Sequence, residues 1–285
     1  MAVTVLLGKA GSGKSTQCYR EIQACAAAGG KALLLVPDQA TYGAERHLAE
    51  HSEGQGFIGT QVVGFSRLAY KVFQERGLAH ASLSELARKI ILQRLLHKGE
   101  KEFSVLQTAA RQPNFADTAG RFLWECRSFC VTPDALRKAA EAVPNPTLSH
   151  KLEDISRLYG AYQDFLADHF GSADDTMTLL AREVGHYSFL QGAHVWVDGF
   201  QWFTPQQMEI LRQMERVTAQ VTITLTIDEE HLEQQRRETA LFHRAYEVYR
   251  DLKTLFPHLK NDQGSQKAGR PADGLSRRLL PACTG

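Results

Sequence analysis

Hydrophobic positions change their period twice along the chain. Near the N-terminus, VTVLL (residues 3–7), KALLLV (31–36) and TQVV (60–63) are short apolar runs with the continuity of parallel strands buried on both faces. Residues 15–28 and 41–51 have helix-forming composition, so the first 65 residues predict β-α-β-α-β with crossover helices. From about residue 66 to 190 apolar residues recur instead at helical spacing, in LSELARKIILQRLLHK, FADTAGRFLWECRSF, LSHKLEDISRLYGAYQDFLADHF and DDTMTLLAREV. Ser84, Ser149 and Asp174 stand where helix caps are expected, and Pro113, Pro133, Pro144 and Pro146 punctuate the helices. Strand character returns in HVWVD and QVTITLTI, with TPQQMEILRQMERV helical between them.

This pattern predicts one α/β domain, residues 1–65 and 191–256, split by an all-helical insertion over residues 66–190. A last helix is expected over about residues 229–255. Residues 257–285 lack periodicity, are rich in Gly, Pro and small polar residues, and are expected to form a disordered tail.

The loop after the first strand adds chemistry to this outline. Gly8, Lys9, Ala10, Gly11, Ser12, Gly13, Lys14, Ser15 and Thr16 contain the pattern G-x-x-x-x-G-K-[ST] without a mismatch, in the strand–loop–helix setting the motif requires. Its glycines let successive N–H groups turn inward, and the following helix N-terminus adds partial positive charge where a phosphate would sit. Lys14 is expected to reach the terminal phosphates of ATP, and Ser15 to ligate Mg²⁺. The expected fold is therefore α/β, a P-loop NTPase (RecA-like) parallel sheet carrying a large all-helical insertion. Residues 195–205, VWVDGFQWFTP, form an apolar run that stops on Asp198, the expected second Mg²⁺ ligand.

Composition narrows the picture further. The 43% of hydrophobic residues in 285 supply a substantial core, and a formal charge of +1 gives no global pull towards nucleic acid. Any DNA binding must come from local placement of Arg and Lys. No apolar stretch approaches the roughly 18 to 20 residues of a membrane span and no signal-type segment opens the chain, which predicts a cytoplasmic protein without membrane association. Five cysteines, Cys18, Cys25, Cys126, Cys130 and Cys283, are too few and too scattered for a disulfide framework, so reduced thiols are expected. Cys126 and Cys130 lie one helical turn apart, but no second Cys or His pair joins them at ligand spacing. The histidines are equally scattered, and the pairs Asp174-Asp175 and Glu229-Glu230 sit at expected helix starts, where the helix dipole favours acidic residues.

Taken in order, GKAGSGKST, LLLVPDQATYGAERHL, VVGFSRLAYKVF, the helical block and VWVDGFQWFTPQQMEIL resemble the first motor domain of superfamily 1 DNA helicases of the UvrD/RecB type. More narrowly, VPDQAT, GFSRLA and VDGFQWFTPQQ are similar to the N-terminal part of the AddB subunits of AddAB-type helicase–nucleases, over about residues 1 to 256. The resemblance implies a partner of an AddA-type helicase–nuclease subunit that handles single-stranded DNA and DNA ends in recombinational repair. It implies an iron–sulfur cluster only in a C-terminal nuclease region, for which this chain is too short, so a fragment is expected. By the same resemblance Gln39, Thr41, Phe65 and Arg67 contact the DNA strand, with Phe65 suited to stacking and Arg67 to a phosphate or base edge. Trp202 and Phe203 share that sheet edge and serve either the strand or the packing under the insertion.

Related motors end this strand Asp-Glu with a Gln two residues on. Here Asp198 and Gln201 keep the flanks while Gly199 replaces the Glu, so hydrolysis is expected to be very slow; the alternative is that Gly199 is only a turn residue and a carboxylate such as Asp228, at the end of the next strand, takes over the role. Two other readings are a P-loop kinase or other small-molecule phosphotransferase, for which no compact Arg-rich lid is evident, and a nucleotide switch that stabilises an assembly.

Overall fold

The computed structural model describes residues 2–50, 59–78, 83–112, 114–170 and 175–263. Six strands, β1 (Ala2–Gly8), β2 (Ala32–Leu35), β3 (Thr60–Val63), β4 (His194–Val197), β5 (Gln220–Thr226) and β6 (Lys260–Gln263), form one sheet in the order β3-β2-β4-β5-β1-β6. Every pairing in it is parallel. Alternate residues of one strand serve opposite faces, as the pleat requires: Val3, Val5 and Leu7 enter one core while Leu6 enters another, and Leu33 and Leu35 part in the same way from Ala32 and Leu34.

Helices α1 (Lys14–Ala27) and α2 (Thr41–Glu50) cover one face, burying Cys18, Ile22, Ala44 and Leu48 against Leu34 and Trp196. The other face is covered by α3 (Phe65–Arg76), and the helical block then runs α4 (Glu85–Lys98), α5 (Gln107–Ala110), α6 (Phe115–Ser128), α7 (Pro133–Ala142) and α8 (Pro146–Phe170). Helices α9 (Thr176–Glu183), α10 (Pro205–Glu215) and α11 (His243–Leu255) return to the sheet beside α3.

The helical block has a core of its own, in which Leu92, Leu96, Leu123, Leu158 and Tyr162 meet, with Leu83 the first residue packed on it and Leu166 the last. It is therefore shorter than the helical stretch of residues 66–190. Leu68, Val72 and Phe73 of α3 and Leu180 of α9 belong to the sheet's core. Periodicity reveals that a helix has an apolar face but not which core that face meets.

Three further expectations change. Residues 260–263, assigned to the tail, form β6 beside β1, because a strand of four residues at a sheet edge needs little apolar patterning. The helix expected over residues 229–255 divides into a 3-10 stretch, Glu229–Arg236, and α11. Leu232 is the only apolar residue between positions 229 and 239, and buried Gln235 ties the junction by accepting from the Phe242 N–H at 3.3 Å. Ser149 lies inside α8 and donates to the Ala140 carbonyl at 2.8 Å, while Asn145 accepts from Leu148 N–H at the helix start. Ser84 caps α4 as expected, accepting from Ala87 N–H at 3.2 Å. Asp174, Pro113, His51, His80, Cys283 and residues 264–285 lie outside the described residues.

The spacing of Cys126 and Cys130 has a backbone explanation. Cys130 adopts φ 56°, and α6 ends in paired bonds from Cys130 N–H to Arg127 O and from Val131 N–H to Cys126 O. This is a left-handed helix stop of the kind glycine usually supplies. Burial pushes up the thiol pKa of Cys18, Cys25, Cys126 and Cys130, which keeps all four protonated at neutral pH.

Candidate functional site

The loops at the C-terminal ends of the parallel strands converge on one edge of the sheet, where such folds place their ligands. After β1 the chain turns tightly through residues 9–13: Ser12 N–H bonds Lys9 O at 3.2 Å, and Gly13 takes φ 88° before α1 begins at Lys14. A side chain at Gly13 would be strained in that left-handed conformation. The Lys14 ammonium folds back over the loop and donates to Gly8 O at 2.7 Å, Lys9 O at 2.9 Å and Ser12 Oγ at 3.3 Å. It is buried, and burial lowers its pKa, an effect opposed by the charge of Asp198. Ser15 and Thr16 are exposed in the first turn of α1.

Asp198 follows the last residue of β4, buried, and its Oδ1 accepts from Thr224 Oγ1 of the neighbouring strand β5 at 2.5 Å. At the end of β5, Asp228 pairs with Lys9 of the loop at 3.2 Å. The donor set of Ser15 hydroxyl and Asp198 carboxylate is all oxygen, which suits a hard divalent cation such as Mg²⁺. The glycine-rich loop, the Lys14 ammonium and these two oxygen groups have the chemistry that a phosphate chain with its cation requires.

Gly199 has φ +80°, a conformation in which any L side chain is strained, and a Cβ there would lie 3.5 Å from Pro37 Cδ. The glycine is therefore required by the turn that leaves β4, and the same turn leaves that position without a carboxylate. Gln201 is exposed beyond it.

Two neighbouring loops carry the residues expected to meet DNA. Gln39 is exposed in a 3-10 turn, Asp38–Ala40, and Thr41 Oγ1 bonds Asp38 O at 3.0 Å. Asp38 in turn accepts from Ser66 Oγ at 2.8 Å, and Arg67 pairs with Glu45 at 2.8 Å, so the loops after β2 and β3 are tied together. Phe65 is 4% exposed, lies in the core and meets Phe200 edge-on at 5.6 Å, so in this arrangement its ring packs within the protein. As the first residue of α3, Phe65 points back into the sheet's core, while Tyr70, five residues on, is 66% exposed. Trp202 is 48% exposed and Phe203 is buried, which separates two residues that the sequence could not tell apart.

Three features escaped the sequence: Thr224, the Lys9–Asp228 pair and Tyr70. Only Thr224 left a signal, because Thr222, Thr224 and Thr226 alternate with apolar residues in a strand that is otherwise buried.

Parallel sheet, glycine-rich loop, buried strand-end carboxylate and helical insertion define an α/β protein whose loop and carboxylate share one sheet edge. Residues 5–268 match the family model described as ADDB, N-terminal, and the chain belongs to that family. Among curated proteins, the chain is similar to the B subunit of the ATP-dependent helicase/deoxyribonuclease of Pelotomaculum thermopropionicum, 38% identical over 87% of this chain and 22% of the relative. The proteins of the same name from Desulforamulus reducens and Bacillus subtilis are 36% and 34% identical, over 88% and 87% of this chain and 22% of each relative. The chain thus spans about a fifth of the length of these relatives. Among the described residues, no helix is long and apolar enough to cross a membrane.

Proposed function

We propose that this chain is the nucleotide-binding and single-strand-holding part of an AddB-type protein that works beside an AddA-type helicase–nuclease on DNA ends, with a motor site that binds ATP but hydrolyses it very slowly. Family membership supports the AddB assignment, and the partner follows from the relatives' names. The observation that carries the nucleotide part is Lys14 held over the loop by the carbonyls of Gly8 and Lys9, with Asp198 set just after β4. Lys14 would leave its carbonyl partners to meet the terminal phosphates, while Ser15 and Asp198 would hold Mg²⁺, which supplies charge neutralisation to the phosphate chain. Gly199 supports slow hydrolysis, since no carboxylate stands there to orient water. General-base assistance of that kind contributes on the order of 10² to 10⁴ in rate.

For the DNA strand, Gln39, Thr41 and Arg67 offer amide, hydroxyl and guanidinium on tied loops, and exposed Tyr70 takes the stacking role expected of Phe65. The reading is tested by calorimetry with Mg-ATP and anisotropy with single-stranded and duplex oligonucleotides at two salt concentrations. A salt-dependent preference for single strands is expected. Phosphate transfer to a small acceptor, with no oligonucleotide bound, would overturn it in favour of a phosphotransferase.

A further inference from the structure

Between the sheet's helices and the helical block lies a cleft of about 1190 Å³. One end opens at Ser66 and Tyr70 of α3 and at Thr204 and Gln207 near the start of α10, beside the loops just assigned to DNA. The far wall is built by α4 and α6. On α6, Ala116, Gly120, Trp124 and Ser128 line the cleft at four-residue intervals, so the indole stands among small neighbours and is 56% exposed.

The charges of this wall sort into paired and unpaired. Lys89 is held by Asp117 at 2.6 Å and Arg127 by Asp175 at 3.4 Å. Arg88 and Arg121 are exposed, and among the described residues neither is in an ion pair; of the lining carboxylates Asp117 and Asp175 are paired, and Glu85 is the third. A large exposed aromatic plane beside two uncommitted guanidiniums is the combination that holds a nucleic acid backbone and stacks its bases without reading them.

We propose that the helical block's wall of this cleft, through Arg88, Arg121 and Trp124, binds a second stretch of the same single DNA strand that the sheet-edge loops hold. Arg88 and Arg121 meet phosphates, and Trp124 stacks on a base. This rests on the single-strand reading above, and it makes the helical block a binding surface in its own right. A protein segment lying in the cleft is the competing occupant, which continuity with the loops and the unpaired guanidiniums disfavour.

The test uses anisotropy with oligothymidylates of about 6 and about 20 nucleotides, lengths that separate one contact region from two. The wild type is expected to bind the longer strand more tightly. Trp124→Ala should weaken the longer strand about tenfold, the effect of one lost base–aromatic stack, and leave the shorter one unchanged, while Trp124→Phe retains most of the affinity. Arg88→Gln with Arg121→Gln should reduce the slope of log affinity against log salt by about 1.4, from two lost phosphate contacts. If the wild type binds and all variants match it in affinity and salt slope, the strand does not enter the cleft, and the proposal falls while the loop reading stands. Weakening shared by Trp124→Phe and accompanied by a lowered melting temperature would make Trp124 structural and also overturn the proposal. A wild type that binds neither length overturns both.

Discussion

Asp198 and Thr224 are joined across neighbouring strands by a 2.5 Å hydrogen bond, so the carboxylate at the end of β4 is fixed by β5 and aimed by the sheet itself. The register that pairs Val197 with Ile223 brings Thr224 level with Asp198. Thr224→Val should leave the fold intact and weaken Mg²⁺-dependent nucleotide binding, because Asp198 loses its orienting partner. Calorimetry with and without Mg²⁺ checks this: a loss confined to the Mg²⁺ condition is expected.

Hydrolysis should be slow in wild type, and Asp228→Asn should not change it, since Asp228 is engaged by Lys9 at 3.2 Å. Single-turnover assays of both proteins provide the measurement; fast wild-type turnover that collapses in Asp228→Asn would make Asp228 the missing base. Gly199→Glu is not expected to restore activity. At φ +80° the substitution costs about 1–2 kcal/mol of stability, seen as a lower melting temperature.

Lys14→Ala should weaken nucleotide binding through loss of the charge that meets the terminal phosphates. Burial lowers the Lys14 pKa below its ordinary 10.5, so the unfolded chain binds the proton more tightly than the folded one. The sign follows: Lys14 costs stability at neutral pH, and this cost is relieved as pH rises from the folded pKa towards 10.5. Nucleotide affinity should fall over that same window as the ammonium is lost. Melting temperatures and binding isotherms against pH, for wild type and Lys14→Ala, separate the two effects: the stability gain on the alkaline side should vanish in the variant.

Phe65→Ala and Tyr70→Ala should behave oppositely. Phe65 fills the core, so its truncation should cost about 3–5 kcal/mol of stability. Tyr70 is exposed, so its truncation should leave the melting temperature unchanged and weaken single-strand binding by roughly 1 to 3 kcal/mol. Weak DNA binding by Tyr70→Ala together with a lowered melting temperature would contradict this division.

Asp154 should be the most sensitive polar position of the helical block. Its carboxylate is fully buried and accepts from three backbone N–H groups, Ser104 at 3.0 Å, Val105 at 2.8 Å and Leu106 at 3.0 Å. Asp154→Ala leaves these donors unsatisfied, at about 1–3 kcal/mol each in the worst case, and Asp154→Asn retains one acceptor oxygen and should cost less. Chemical denaturation of the three proteins tests the order wild type, Asn, Ala.

The sequence by itself determined the parallel sheet, the helical insertion and the loop from Gly8 to Thr16. These are carried by local signals: apolar runs too short for helices, a change of period near residue 66, and a motif whose spacing is its chemistry. Tertiary structure decided everything that depends on which surface a residue meets. Phe65 and Tyr70 are both aromatic residues of one helix, five positions apart and so on different faces, and the packing of α3 against the sheet buries the first and exposes the second. Leu68 and Leu92 are both buried leucines of helices, yet they belong to different cores. Strand β6 exists because β1 offers it an edge, and Thr224 matters because the sheet register sets it beside Asp198. Even Gly199 changes meaning once φ is known: in the sequence it is a missing carboxylate, and in the fold it is also the residue that lets the chain turn. Such outcomes follow from contacts between residues far apart along the chain, which no local pattern of hydrophobic and polar positions encodes.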